Sequence, residues 1–286
     1  MKNYCLKPDF PSLRLLSRSS TKSFKINHSI IDQPNSLHTI NKKNLSIITS
    51  DELKNEINQQ WFEQDYWMNQ GRLLGANSGR GSTWVIKSEW GKWVLRHYFR
   101  GGFYAKLNRD RYFWTGLKNT RAFKEYQLLT ELQNLNLPSP KPVAAMVVKK
   151  GLSYRNDLIM EHVQHKMTFA QGLRNEQISN EQISHEHQSD KKSALPIDTW
   201  QRIGRTIAQF HHNGIYHSDL NAHNILLNGE QVFLIDFDKG KIRTPKPHWQ
   251  QDNMSRLKRS IEKISNSSCD TQLSQQWQSL LDGYHA

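Results

Sequence analysis

Cysteine is nearly absent from this 286-residue sequence, which contains only Cys5 and Cys269. Their wide separation argues against a disulfide framework and against a cysteine-based zinc site. A zinc site made only of histidines is not supported either, since His211, His212, His217 and His223 do not have a regular ligand spacing. The cysteine content therefore fits a reducing, cytoplasmic setting.

Long apolar runs are also missing. The longest, Val143–Val148, is far shorter than the roughly 20 residues that a membrane-spanning helix needs. The first residues lack the apolar core of a secretory signal peptide. We therefore expect a soluble or peripherally membrane-attached protein.

Acidic residues are scarce, with 26 Asp and Glu against 39 Lys and Arg and a net charge of +13. Such a balance favours anionic partners, including nucleotides, nucleic acids, anionic lipids and phosphorylated sugars, without choosing among them. The first 50 residues contain only Asp9 and Asp32 as acids and are rich in Ser, Asn and Lys. We predict that residues 1–60 are a flexible basic extension outside the folded domain.

A second polar segment lies at about residues 171–193. It contains the tandem repeat Asn175-Glu-Gln-Ile-Ser179 and Asn180-Glu-Gln-Ile-Ser184, which offers few apolar side chains for burial. The composition predicts a surface loop insertion, and residues 172–192 are predicted to be dispensable.

The remaining pattern predicts an α+β fold with two lobes. A small N-terminal lobe, residues 61–162, is rich in strands and carries one helix, and residues 163–286 are mainly helical. The clearest predicted elements are strands at Arg72–Gly75, Ser82–Lys87 and Lys92–Phe99, and a helix from Thr120 to about Leu135.

The strongest chemical signal is the segment His217-Ser-Asp-Leu-Asn-Ala-His-Asn224, followed by Phe233-Leu-Ile-Asp236. Phosphoryl transfer needs a carboxylate that accepts the proton of the attacking hydroxyl, together with oxygen ligands for Mg²⁺. Asp219 suits the first role, and Asn224 and Asp236 suit the second. The Asn228-Gly229 pair predicts a hairpin that folds Asp236 back beside the other two residues. The pattern matches the kinase motifs H-x-D-x-x-x-x-N and D-F-x-x-G.

Two further features fit the binding of ATP. Gly75, Gly79 and Gly81 lie around a predicted strand connection, where backbone N–H groups can approach phosphate oxygens, although an ordinary hairpin loop has the same composition. Arg96 lies on the third predicted strand, where protein kinases have lysine. Glu125 lies on the following helix and can pair with Arg96, because a guanidinium binds a phosphate and a carboxylate at once.

Residues 96–124 combine basic and aromatic side chains. The segment can bind nucleic acid or an anionic lipid surface, or it can be a solvated loop with some aromatic residues in the core. No recognised nucleic-acid motif accompanies it, so a nucleic-acid partner is not expected. The cations proposed to contact a membrane are Arg100, Lys106, Arg109, Arg111 and Arg121.

Several longer strings carry a resemblance to a known family. The most specific strings are Gly79-Arg-Gly-Ser-Thr-Trp84, Trp93-Val-Leu-Arg-His-Tyr98, Asp110-Arg-Tyr-Phe-Trp-Thr-Gly116, Thr120-Arg-Ala-Phe-Lys-Glu125 and Tyr216-His-Ser-Asp-Leu-Asn-Ala-His-Asn224. Together they resemble the 3-deoxy-D-manno-octulosonic acid (Kdo) kinases of Gram-negative lipopolysaccharide synthesis, which have a protein-kinase-like fold.

The resemblance implies transfer of the ATP γ-phosphate to the 4-hydroxyl of Kdo on a lipid A precursor, Kdo-lipid IV-A. It also implies peripheral attachment at the cytoplasmic face of the inner membrane. By the same resemblance Asp219 is the catalytic base, Asn224 and Asp236 hold Mg²⁺, and Arg96 with Glu125 anchors the phosphates.

The C-terminal part departs from protein kinases. No Ala-Pro-Glu segment follows Gly240, so a peptide-docking lobe has little room and a glycolipid or small-molecule acceptor is favoured. An amphipathic helix is predicted from Trp249 to Ile264, with Arg256, Lys258 and Arg259 available to anionic lipid. The alternatives are a kinase for a heptose, an aminoglycoside or a protein, and a nucleotide-binding pseudokinase without activity.

Overall fold

The structure is a computed structural model that describes residues 38–78, 82–99, 110–183, 195–265 and 271–286. In these ranges a strand-rich part comes first and a mainly helical part follows, in agreement with the predicted two-lobed α+β fold.

The strand-rich part contains an eight-stranded antiparallel sheet, in the order β1-β2-β7-β8-β5-β4-β3, with β6 paired to β8. Its strands are β1 (His38–Lys42), β2 (Leu45–Thr49), β3 (Leu73–Ser78), β4 (Ser82–Ser88), β5 (Gly91–His97), β6 (Tyr112–Phe113), β7 (Pro142–Lys150) and β8 (Ser153–Glu161). The short helix α1 (Gln64–Asn69) precedes β3, and the helix α2 (Arg121–Asn134) lies between β6 and β7.

The predicted start of the folded domain near residue 61 is too late. Strands β1 and β2 form a hairpin, and β2 pairs with β7 from Leu45 opposite Val148 to Thr49 opposite Ala144. Ile47 and Ile48 are buried in the two apolar clusters on opposite faces of the sheet. Strand β2 is difficult to predict from the sequence, because its few apolar residues lie in a polar stretch. Their burial depends on pairing with β7, about a hundred residues away.

Both faces of the sheet are covered by apolar side chains. On one face, Leu129 and Leu132 of α2 pack in the same cluster as Leu158 of β8. On the other face, Trp61 and Trp93 belong to a separate cluster with the α1 residues. The α2 residues recur at helical spacing, which explains why this helix was predicted with nearly its observed bounds.

The mainly helical part contains four helices and two small sheets. The helices are α3 (Phe169–Ile183), α4 (Ile197–His212), α5 (Pro247–Ile264) and α6 (Thr271–His285). The short strands are β9 (Met167–Thr168), β10 (Ile215–Tyr216), β11 (Ile225–Asn228), β12 (Gln231–Leu234) and β13 (Lys241–Ile242), which pair in the order β12-β11-β9 and as β10 with β13. The helix predicted from Trp249 to Ile264 is present as α5.

Helices α4 and α6 approach each other at two glycines. A Cβ at Gly204 of α4 would lie 2.0 Å from the backbone oxygen of Leu280, and one at Gly283 of α6 would lie 2.1 Å from that of Gln201. Only glycine permits this backbone separation, because any larger side chain would overlap a backbone oxygen.

The predicted loop insertion at 171–193 is wrong in its first part, because α3 extends through this segment as far as Ile183. Leu173 is buried in the main apolar cluster. Glu176 is also buried, and Gln272 and Gln276 of α6 donate hydrogen bonds to its Oε1 at 3.0 and 2.6 Å. Removal of residues 172–192 would therefore remove part of the core, so these residues are not dispensable as a whole. Residues 184–194 lie outside the described ranges.

We predict that Ile48→Ala lowers the free energy of unfolding by about 2–5 kcal/mol, since it leaves a cavity in the core. Thr39→Ala on the exposed side of β1 is the matched control and is expected to change it by less than about 0.5 kcal/mol. Urea denaturation of the three proteins measures the difference. If Ile48→Ala unfolds at the same urea concentration as the wild type, the hairpin of β1 and β2 does not belong to the core.

Candidate active site

The segment that connects β10 to β11 places Asp219 and Asn224 in one loop. Asn224 Nδ2 donates a hydrogen bond to the backbone oxygen of Asp219 at 2.9 Å, and Asn221 Nδ2 donates to Asp219 Oδ2 at 3.1 Å. Asn221 also caps the single turn of 3-10 helix at Ala222–Asn224 by accepting from the backbone N–H of His223. The Asp219 carboxylate remains more than half exposed, so it is accessible to a substrate.

His217 supports this loop from within the protein. Its Nε2 donates to the backbone oxygen of Ile235 at 2.9 Å, and its Nδ1 accepts from the backbone N–H of Asp219 at 3.2 Å. These two bonds require the neutral ring, and burial lowers the pKa of His217, which favours the same state. His217 thus joins the Asp219 loop to the segment that leads into Asp236.

The hairpin of β11 and β12 brings Asp236 back to this loop. Asn228 lies opposite Gln231 across a tight turn in which Gly229 has a φ of +59°. The backbone N–H of Ile235 donates to the backbone oxygen of Asn224 at 3.0 Å, next to Asp236. The predicted hairpin is therefore present, and it joins the three residues expected to carry the chemistry.

Arg96 of β5 connects Asp236 to helix α2. Its Nη1 lies 2.8 Å from Asp236 Oδ1 and 3.2 Å from Glu125 Oε1. The hydroxyl of Tyr98 donates to the other oxygen of Glu125 at 2.6 Å. The predicted pair of Arg96 and Glu125 is thus present, and the arginine also contacts the carboxylate of Asp236.

Burial and nearby charges shift the pKa values of Arg96 and Glu125 in opposite directions. Burial alone would lower the pKa of Arg96, but the nearby charges of Glu125 and Asp236 raise it well above its usual value. Burial raises the pKa of Glu125, while Arg96 opposes that rise. The guanidinium therefore stays charged and compensates two carboxylates.

Two oxygens at this point fit a divalent cation. Asp236 has a φ of +64°, an unfavourable conformation for a residue with a side chain, and its Oδ1 is buried without a well-oriented hydrogen-bond donor among the described residues. The amide of Asn224 donates through its nitrogen to Asp219, so its oxygen is the atom left for a ligand. One carboxylate and one amide oxygen match the hard oxygen donors that Mg²⁺ prefers.

The glycines expected at the phosphates are only partly described. Gly75 lies inside β3 opposite Val85, at an irregular register, so the strand extends further than predicted and reaches Ser78. Gly79 and Gly81 fall outside the described residues. Residues 79–81 are all that connects β3 to β4.

Contrary to the prediction, Arg121 does not belong to a free basic surface. Its Nε donates to Asp238 Oδ1 at 2.9 Å, and its Nη2 donates to Asp238 Oδ2. Its Nη1 donates to the hydroxyl of Tyr112 at 2.5 Å. Arg121 therefore joins the first turn of α2 to the segment that follows Asp236. Arg100, Lys106 and Arg109 lie outside the described residues.

Sequence analysis missed Asn253, which supports the Asp219 loop from α5. Asn253 is 1% exposed, its Nδ2 donates to the backbone oxygen of His217 at 3.0 Å, and its Oδ1 accepts from the backbone N–H of His217 at 3.2 Å. The same Oδ1 lies 3.3 Å from Nε2 of the buried His211. The sequence signal for this role is the position of Asn253 on the apolar side of an amphipathic helix, where a polar residue needs a buried hydrogen-bond partner.

An open cleft of about 790 Å³ lies in front of Asp219. It is bordered by the Asp219 loop, by α3 and by one side of α5. The residues that line it are Arg174, Asp219, Asn221, His223, Arg256, Arg259, Ser260, Lys263 and Ile264. His223 therefore lies in the wall of this cleft.

Comparison with protein families gives one family match. Residues 64–284 match the model described as the lipopolysaccharide kinase (Kdo/WaaP) family. A 3-deoxy-D-manno-octulosonic acid kinase of Xylella fastidiosa strain M23 is 42% identical over 190 residues, which cover 66% of this chain and 69% of that protein. The enzyme of the same name from Haemophilus influenzae strain PittEE is 36% identical over 237 residues, which cover 79% and 90%.

A solved structure shares the fold. The structure described as WaaP in complex with acyl carrier protein has a TM-score of 0.51 with this chain at 13% sequence identity, covering 84% of this chain and 88% of that one. At this identity the likeness concerns the fold alone. It agrees with the predicted arrangement of a strand-rich part followed by a mainly helical one.

We predict that His211 makes the stability depend on pH. Burial lowers its pKa from the usual 6.5 to about 4, so the unfolded chain binds a proton between these pH values and the folded protein does not. Its contribution to stability is present above pH 6.5 and is lost as the pH falls toward 4. From pH 7 to pH 5 the wild type should lose roughly 2 kcal/mol more unfolding free energy than His211→Gln.

Denaturation curves at both pH values measure this difference. His212→Gln is the control, because His212 is the exposed neighbour in the same helix. The interpretation fails if His211→Gln and His212→Gln show the same pH dependence as the wild type.

Proposed function

This chain belongs to the lipopolysaccharide kinase (Kdo/WaaP) family, and we propose on that basis that it transfers the γ-phosphate of ATP to the 4-hydroxyl of Kdo on a lipid A precursor. It is a phosphotransferase of lipopolysaccharide core biosynthesis that acts on a sugar hydroxyl. The observation that carries the proposal is the connection of Asp219, Asn224 and Asp236 by hydrogen bonds within one loop and one hairpin.

The proposed reaction assigns one role to each of these groups. The acceptor hydroxyl attacks the γ-phosphorus, its proton passes to the Asp219 carboxylate, and the bond between the γ-phosphorus and the bridging oxygen breaks to release ADP. Asp219 is suited to this role because its carboxylate is exposed to the cleft while its backbone is fixed by His217 and Asn224. The loop thus holds the base in position before the acceptor binds.

ATP would lie against Arg96 and the metal ligands. We propose that Asn224 and Asp236 would hold Mg²⁺, which neutralises charge on the phosphates when bound. Arg96 keeps Asp236 in place and adds a fixed positive charge close to it. Gly75, Gly79 and Gly81 are proposed to border the phosphates from the strand connection.

The alternatives to a Kdo kinase are a kinase for another acceptor and a pseudokinase that binds nucleotide without transferring phosphate. The names of the relatives favour Kdo over a heptose, an aminoglycoside or a protein. The presence of all three residues Asp219, Asn224 and Asp236 argues against a nucleotide-binding pseudokinase. Acceptor profiling with matched sugars distinguishes these enzymes directly.

We predict that Asp219→Ala lowers turnover by about 10²- to 10⁴-fold, because it removes the proton acceptor, while ATP affinity stays nearly unchanged. The assay is incubation with Mg·ATP and Kdo-lipid IV-A followed by mass spectrometry, where the wild type should add the mass of one phosphate. Glu89→Ala, an exposed carboxylate between β4 and β5, is the control. Near-wild-type turnover of Asp219→Ala would remove this residue from the mechanism.

We also propose that the protein attaches peripherally to the cytoplasmic face of the inner membrane. No helix among the described residues is long and apolar enough to cross a membrane. Phe113 and Leu152 are 65% and 77% exposed and lie at neighbouring positions, since the backbone N–H of Trp114 donates to the backbone oxygen of Leu152. Lys118, Lys149 and Lys150 nearby are also exposed. Two exposed apolar side chains among lysines suit the surface of an anionic bilayer.

We predict that the double variant Phe113→Ser and Leu152→Ser binds vesicles containing anionic lipid less tightly than the wild type, because it loses apolar insertion but keeps the charge. Wild-type binding should weaken as salt rises, owing to screening. Vesicle flotation measures both effects, with Ile197→Ser as the control for another exposed apolar residue. Equal flotation of the wild type and the double variant at low salt would rule out this surface.

A further inference from the structure

We propose that Arg174, Arg256, Arg259 and Lys263 form a binding site for the acidic groups of the acceptor, with Arg256 at the carboxylate of the sugar that is phosphorylated. This inference rests on the proposed function and specifies how the same site recognises its acceptor. The four cations are called the acceptor cation cluster below. They line the cleft in front of Asp219.

The cluster is built from two helices that face the Asp219 loop. Arg256, Arg259 and Lys263 follow one another at intervals of three and four residues, which places them on one side of α5. Arg174 comes from α3, where the buried neighbours Leu173 and Glu176 fix the position of the helix. The part of the sequence predicted to be a dispensable loop therefore contributes one cation of the cluster.

Among the residues that the structure describes, little negative charge compensates the positive charge of the cluster. Asp219 is the one carboxylate among the residues that line the cleft, and its Oδ1 lies 3.8 Å from Arg256 Nη1, too far for a hydrogen bond. Arg174, Arg259 and Lys263 form no ion pair with any described residue. Four cations that share one open cleft repel one another and attract anions.

A neighbouring lysine on the same helix shows the contrast. Lys258 lies 4.0 Å from Glu262 and 5.8 Å from the centre of the Trp277 ring, and it does not line the cleft. Of the three cations expected to be available to anionic lipid, Arg256 and Arg259 line the cleft, whereas Lys258 belongs to the contact of α5 with α6. Positive charge is concentrated on the side of α5 that faces Asp219.

His223 differs from the four cations of the cluster. Burial, and then the nearby Arg174, lower the pKa of His223, which disfavours a positive charge on its ring. The Ser260 hydroxyl accepts a hydrogen bond from the backbone N–H of Ala222 at 3.2 Å. Recognition of an anion in this cleft thus depends on the arginines and the lysine.

The chemistry of the acceptor matches this arrangement. Kdo is a sugar acid, so its carboxylate lies on the same ring as the hydroxyl that must reach Asp219. Arg256 is the cation nearest to Asp219, and a guanidinium binds a carboxylate through two hydrogen bonds. Arg259 and Lys263 lie one and two turns further along α5, where they can contact phosphates of the lipid part.

The experiment compares Arg256→Gln with the double variant Arg259→Gln and Lys263→Gln, and uses Lys258→Gln as the control. Steady-state kinetics are measured with two acceptors: Kdo-lipid IV-A and a short alkyl glycoside of Kdo that carries no phosphate. We expect Arg256→Gln to raise KM for both acceptors by about tenfold or more, since a charged hydrogen bond is lost. The double variant should raise KM by a similar factor for the lipid and not for the glycoside.

The KM for ATP should change less than about twofold in these variants, which separates loss of the acceptor site from general damage. Melting temperatures confirm that the variants fold. If the wild type phosphorylates Kdo-lipid IV-A but all variants keep the wild-type KM for it, the acceptor cation cluster is refuted while the proposed function stands. If the wild type phosphorylates neither acceptor, the proposed function itself fails.

Discussion

The arrangement of the site depends on one guanidinium that contacts two carboxylates. Arg96 projects from the inner strand β5 and lies within 3.2 Å of Glu125 on α2 and within 2.8 Å of Asp236. This contact connects the sheet, the helix and the segment after the β11–β12 hairpin. Asp236 adopts a backbone conformation with positive φ that has to be supported by its surroundings, and Arg96 provides that support together with the hydrogen bond from Ile235.

A second set of buried polar contacts fixes the other half of the site. His217 binds the backbone on both sides of the catalytic loop, and Asn253 holds His217 through two further hydrogen bonds. The loop that carries Asp219 is therefore fixed from the interior, while its carboxylate stays exposed to the cleft. Helix α5 contributes both to the support of this loop and to the cleft in front of it. Its buried side supplies Asn253, and its open side supplies three of the four residues of the acceptor cation cluster.

Local patterns in the sequence predicted most of the catalytic segment. Asp219 and Asn224 share one loop, and the turn at Asn228-Gly229 is short, so their proximity to Asp236 follows from spacing alone. The pair of Arg96 and Glu125 was predictable from the order of the elements. Strands β1 and β2 and the buried part of α3 could not be predicted in this way, because Ile48, Leu173 and Glu176 lie in stretches of sequence rich in polar residues and are buried by distant partners. Asn253 and the pairing of Arg121 with Asp238 likewise depend on contacts across more than 30 residues of sequence.

We propose that Arg96 and Asp236 act together in binding Mg·ATP. Calorimetric titration of Mg·ATP into the wild type, Arg96→Met, Asp236→Ala and the double variant tests it most directly, with Arg72→Met as the control for an exposed arginine that pairs with Glu89. Each single variant should bind about tenfold or more weakly, and the double variant should bind little more weakly than the weaker single variant, because contacting residues are not additive. Wild-type affinity in Arg96→Met, or fully additive losses in the double variant, would show that the two residues do not act together.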